Sequence, residues 1–190
     1  MQTLGLAQTN AVVIMVEPLH SHVLYIDFNI ADLRKTNEVH LYPFALGKTN
    51  DKAKIFMQTW NYGNTSLISN IISSEDSIVS EISIRKTEDF VEEALRGYSD
   101  YVLKSDLPGY DAVVLASISK DIYDRTEATV VEIWALEGIE PSDVERCLDL
   151  WESFSQMCWS FNPTTMIYRS EVADFWLNRS GETRNLFMMR

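Results

Sequence analysis

SIVSEISIRKTEDFVEEALRGYSDYV, residues 77–102, changes its hydrophobic period part-way along. Over Ser77–Arg85 the residues Ile78, Ile82 and Ile84 fall on one side, with Glu81 and Arg85 on the other. That period of two belongs to a half-buried strand. From Phe90 the spacing becomes helical: Phe90, Val91, Ala94, Leu95, Tyr98, Tyr101 and Val102 make one stripe. Thr87 is the expected N-cap, with Glu88 and Asp89 favoured by the helix dipole in the first turn. Pro108-Gly109 closes the segment. A strand and an amphipathic helix in succession, without regular βαβ alternation elsewhere, predict an α+β fold.

Towards the C-terminus, the apolar run Asp111–Ile118 reads as a central strand and Ala128–Leu136 as its hairpin partner. Pro141 starts a second amphipathic helix, since proline is pre-set for the first helical turn. Its predicted stripe is Val144, Cys147, Leu148, Trp151, Phe154 and Cys158. Asn162-Pro163 breaks the chain, Thr165–Tyr168 reads as a strand, and Ser170 is placed to cap a short C-terminal helix carrying Val172, Phe175 and Trp176.

Towards the N-terminus, Leu24, Ile26, Phe28 and Ile30 alternate with Tyr25, Asp27 and Asn29 and read as a strand. Val39–Leu46 and Ala53–Trp60 are further β segments, with Pro43 marking an edge or bulge. Asn61-Tyr62-Gly63-Asn64 reads as a turn, and Thr65–Ser73 fits helix or strand. The expected architecture is one α+β domain over residues 1–190. Two main amphipathic helices and the short C-terminal helix would pack on a largely antiparallel sheet.

At 190 residues and 46% apolar composition the chain can bury one sizeable core. No positively charged leader precedes the apolar run Ala11–Val16. That run is also far shorter than the roughly 20 residues needed to cross a bilayer. Cys147 and Cys158, placed on one helix, would stand roughly 16 Å apart and could not bridge. These features lead to the expectation of a cytoplasmic protein away from membranes. Asn64-Thr65-Ser66 and Asn178-Arg179-Ser180 match the glycosylation pattern but carry no weight in that setting.

The net charge of −12 is concentrated. Residues 75–152 hold twenty acids against seven bases, whereas the stretches on either side are close to neutral. Phosphate binding needs clustered Lys and Arg, so nucleic acid is not expected as a direct partner. A basic protein surface is.

Signature motifs are missing. Gly47-Lys48-Thr49 has the tail of a phosphate loop, but Tyr42 stands where that loop needs glycine. No dinucleotide loop, nucleophile elbow or paired-cysteine knuckle occurs, and no cofactor is expected. His20 and His22, with Asp27, form the one metal-like grouping; on a strand the two histidines would share a face. His40 is too far along the predicted hairpin to join them. Asp121, Asp124 and Glu127 crowd a predicted loop and are the second candidate for cation or acid/base chemistry.

On the second helix Glu145, Asp149 and Glu152 fall at i, i+4 and i+7 with no Lys or Arg at that spacing. Such repulsion costs a helix about 0.2–0.5 kcal/mol per pair, and a basic partner would relieve it. Glu92, with Arg96 at i+4, and Glu93 extend the acidic surface. Leu186, Phe187, Met188 and Met189 are unusually apolar for a chain end, so they dock on this domain or on another copy. The expected function is that of a non-enzymatic acidic interaction protein: an inhibitor, an immunity-type antagonist or an assembly component. A structural subunit of an assembly and a small metal-dependent hydrolase are the alternatives.

Overall fold

The computed structural model describes residues 11–58, 65–67, 77–136, 138–159, 165–179 and 181–190. The fold is α+β, with six helices and three sheets among the described residues. The sheets are mixed rather than largely antiparallel. The predicted turn at 61–64 and most of 65–73 lie outside the described residues, as does the break at Asn162-Pro163.

Strand β1 (Val12–Val16) and strand β2 (Glu38–Tyr42) pair in parallel, and helix α1 (His20–Asn29) connects them. This corrects the strand expected over Leu24–Ile30. Parallel neighbours need a crossover, and a helix supplies it. The alternating apolar residues also fit a helix that meets protein on one side and presents Leu24, Tyr25 and Phe28 on the other.

Pro43 divides the expected Val39–Leu46 segment. After it, strand β3 (Ala45–Gly47) leaves for a different sheet. There strand β4 (Asp51–Gln58) pairs antiparallel with strand β5 (Thr65–Ser66) and strand β6 (Ser77–Lys86), while β3 runs parallel to β6. Leu19, Ala45, Ile55, Met57 and Ile82 form a small core on this sheet. Of the inward triad expected in β6, Ile82 is buried, Ile84 is half-buried and Ile78 is exposed.

Helix α2 (Thr87–Ala94) follows β6 directly and buries Thr87, Phe90 and Val91. Thr87 is inside the helix rather than its cap, and its hydroxyl donates to the Gly47 carbonyl at 3.0 Å. The helix stops eight residues short of Val102. Gly97 turns the chain with φ +91, a conformation open to glycine and costly for other residues. Strand β7 (Tyr101–Ser105) then begins, with Tyr101 still in the core through extended backbone.

The run expected as a central strand is helix α3 (Asp111–Leu115), followed by helix α4 (Lys120–Tyr123). A short apolar run buried on all sides has no period to separate helix from strand. Strand β8 (Thr126–Trp134) is present as expected, but its neighbours are β7, in parallel, and the chain end.

Helix α5 (Pro141–Leu150) begins at proline as predicted but ends early. Trp151–Ser153 is a single tight turn and Gln156–Trp159 is strand β9. The apolar stripe therefore continues through a change of structure, and Cys158 lies on β9 rather than beside Cys147. Both thiols are buried. The expected strand at Thr165–Tyr168 reduces to one bridge, Met166 to Cys158.

Helix α6 (Arg169–Asn178) is capped by Tyr168 rather than Ser170; the Tyr168 amide donates to the Glu171 carboxylate at 2.8 Å. It is not the last element. Strand β10 (Thr183–Met189) follows and inserts between β8 and β9, giving a sheet ordered β7-β8-β10-β9. Thr129, Val131 and Ile133 of β8, with Leu186 and Met188 of β10, face the main core, all fully buried. Residues of α2, α3, α5 and α6 join them there, with Trp151 stacked on Trp176 at 6.0 Å.

Candidate functional site

Burying Val144, Cys147, Leu148 and Trp151 turns Glu145, Arg146, Asp149 and Glu152 outward. All three expected acids are exposed, but only Glu145 and Asp149 lie on α5; Glu152 lies in the tight turn after it. Two of them are answered by a cation from a different element. Arg169, the first residue of α6, donates from Nη2 to Asp149 at 3.1 Å and from Nη1 to Glu152 at 3.2 Å. Helix periodicity does not reveal that partner, because it arrives only when α6 packs on α5. Both carboxylates stay largely exposed, at 71% and 63%, so each pair adds at most about 1 kcal/mol. Glu145 is exposed.

Beside this acid pair lies a groove of about 210 Å³ lined by Trp151, Glu152, Met157, Met166, Tyr168 and Arg169, among others. Tyr168 is 77% exposed and Met166 49% exposed. Neither entered the sequence-based site. The helix start at Tyr168-Arg169-Ser170-Glu171 was the available signal, since Glu171 stands where a capping acid belongs.

Glu92 and Glu93 lie on α2. Glu93 accepts from Arg85 at 3.0 Å, and Arg85 also covers the Phe44 and Phe90 rings at 5.2 and 5.4 Å. Because α2 ends at Ala94, Arg96 lies beyond the helix that carries Glu92.

A larger concavity of about 440 Å³ opens between α6 and the β9/β10 end of the sheet. The Arg184 guanidinium lies 4.6 Å from the Phe175 ring centre and 5.6 Å from that of Trp159. Its two cations are matched locally: Arg184 is 3.4 Å from Glu182, and Arg179 is 3.9 Å from Asp174.

The perturbed acids lie elsewhere. Asp111, 2% exposed, accepts from the Leu107 amide and shares a 2.5 Å hydrogen bond with the Ser105 hydroxyl. Burial raises its pKa to about 8 despite those bonds. The arrangement ties the end of β7 to the first turn of α3. Asp106 and Glu132 are hydrogen-bonded to each other. That bond, aided by burial, raises Glu132. Burial also presses on Asp106, but the bonds from Glu132 and Lys104 outweigh it and hold Asp106 below its usual range. Asp143 is nearly buried in the first turn of α5, and Lys48 donates to both its oxygens at 2.9 Å, which fastens the loop after β3 to α5. Burial pushes the Cys147 thiol far up, the reverse of what a nucleophile needs.

The metal candidates do not converge. His20, His22 and Asp27 lie along α1; His22 is 3.5 Å from Glu17, and Asp27 pairs with Arg34. His40, on β2, is 2.7 Å from Glu38. Asp124 pairs with Lys120 at 3.0 Å, on and just beyond α4, so the expected loop of Asp121, Asp124 and Glu127 is largely a helix and a strand start. Among the described residues no three His, Cys, Asp or Glu side chains are grouped to hold a metal ion. No described helix is long and apolar enough to cross a membrane. At the chain end Leu186, Phe187 and Met188 are buried within their own chain, and Met189 is 36% exposed.

No protein-family model matches this chain, and neither the curated proteins nor the solved structures include a match.

Proposed function

We propose that this chain is a non-enzymatic binding protein whose α5–α6 face takes a basic segment of a protein partner, as an inhibitor, antagonist or assembly component would. One observation carries the reading: an exposed tyrosine, Tyr168, rims an open groove directly beside the acid pair Asp149/Glu152. Protein interfaces favour a large aromatic anchor next to charges that steer the approach. Arg169 shows which ligand chemistry the two acids accept, and Glu145 offers a further carboxylate on α5. The acidity of the chain as a whole draws basic partners and repels nucleic acid. The reading carries a cytoplasmic setting, supported by two cysteines kept as buried thiols.

The test is capture from native extract at low and moderate salt, comparing the wild type with the triple variant Glu145→Gln, Asp149→Asn, Glu152→Gln and with Tyr168→Ala. One basic protein, released as salt rises and held at least about tenfold more weakly by both variants, is the expected result. Equal capture by all three proteins overturns the reading.

A further inference from the structure

Arg169 fills its place poorly. Its two Nη atoms bridge Asp149 and Glu152, but Nε is buried and has no hydrogen-bond partner among the described residues. A buried donor left without a partner costs stability, and a cation in the first turn of α6 also meets the positive end of the helix dipole. Asp149 and Glu152 each bond Arg169 through one oxygen and stay mostly exposed. The adjoining groove has a buried floor of Phe154, Met157 and Ile167 and an exposed rim of Met166 and Tyr168. At about 210 Å³ it is smaller than the roughly 300–1,000 Å³ of small-molecule sites, so it takes one or two side chains.

We infer that the basic segment of the partner docks through an arginine that takes the place of Arg169 between Asp149 and Glu152, with an adjacent apolar residue in the groove. This rests on the binding-protein reading above and names the chemistry of its ligand. One carboxylate comes from α5 and the other from the turn after it, and a single planar guanidinium spans the two. A lysine ammonium is a point charge and cannot present that fork. Tyr168 offers an exposed ring at the rim, and elsewhere in this chain arginines lie over the rings of Phe44, Phe90, Tyr101 and Phe175. The face as a whole still favours a cation. Over α5, the turn after it and α6, with Lys48 on Asp143 and Arg179 near Asp174 included, six acids stand against four bases. Exchanging one guanidinium for another changes little between the carboxylates themselves. Burial of the apolar neighbour and release of the Arg169 Nε to water therefore drive the docking. Met157 and Met166 adapt the groove to different apolar side chains.

The experiment titrates the isotope-labelled full chain by NMR with the peptide acetyl-Gly-Leu-Arg-Leu-Gly-amide, up to about 2 mM, and with its lysine counterpart. The arginine peptide should shift the amides of Asp149, Glu152 and Tyr168 and release the Arg169 Nε–H into fast exchange with water. It should bind at least about tenfold more tightly than the lysine peptide. Arg169→Lys keeps the charge but gives up the fork, so it should bind the arginine peptide about tenfold more tightly than the wild type does, a gain that charge attraction alone does not produce. Asp149→Asn should bind it about tenfold more weakly, and both variants should keep the wild-type far-UV circular dichroism. The comparison of the two peptides on the wild type needs no variant. Equal affinity for them overturns the inference and leaves the basic-segment reading standing. An Arg169→Lys protein that folds and binds no better than the wild type also overturns it. So does binding of neither peptide, in which case the wider reading stands or falls on the capture of a whole protein and its loss in the triple variant.

Discussion

Asp111 joins a very short sequence distance to a large chemical effect. Its carboxyl is buried six residues after the Ser105 hydroxyl it bonds, and burial takes its pKa from 3.8 to about 8. Between about pH 4 and 8 the folded state keeps a proton that the unfolded chain has released. Stability from this group is therefore complete below pH 4 and falls as pH rises, at up to about 1.4 kcal/mol per unit, until about pH 8. Glu132, also raised, acts in the same direction. Asp111→Asn keeps a side-chain oxygen that accepts from the Leu107 amide and the Ser105 hydroxyl but cannot ionise. Urea unfolding at pH 5 and pH 8 should show the variant gaining on the wild type as pH rises; equal pH dependence in both would contradict the burial argument. At this scale the exposure of Glu145 and Asp149 was legible, because an amphipathic stripe also defines its opposite face, whereas Glu152 lies in the turn after the helix. Arg169 was not legible, since its pairing depends on how two helices pack rather than on spacing within either.

Among elements, those with one wet and one dry side were legible. Strands β4, β6 and β8 and the starts of α2 and α5 show period or proline signals that agree with their surroundings, although the Thr87 cap read for α2 is not one. Helices α1 and α3 were not: α1 is apolar on both sides, and α3 is too short and too buried to show a period. Strand β10 illustrates the same limit from the other end. Its apolar residues suggested docking on this domain or on another copy; they are buried in their own chain, as an interior strand hydrogen-bonded to β8 and β9. Removing residues 186–190 takes Leu186, Phe187 and Met188 out of the core, at about 1.5–3 kcal/mol each, together with two ladders of hydrogen bonds. That loss approaches the whole stability of an ordinary domain. The truncated chain should lose its near-UV circular dichroism and urea cooperativity. A folded, cooperative product would show that β10 is dispensable.

For the molecule as a whole, −12 over 190 residues sets self-repulsion against the compact state. Most ion pairs are exposed and worth little, so screening should relieve more repulsion than it removes attraction. Raising NaCl from about 10 to 150 mM should lift the melting temperature by a few degrees in scanning fluorimetry. A fall would mean that the exposed pairs outweigh the net charge. By itself the sequence determined the α+β class, the acidic middle, and the positions of the helices that start at residues 87 and 141, since composition and local period follow from neighbouring residues alone. Tertiary structure alone decided the mixed strand order, the helical state of α1 and α3, the capture of the chain end between β8 and β9, and the cation lying across the acidic face. Each depends on residues far apart in the chain meeting in space, where burial and pairing override what a local window can express.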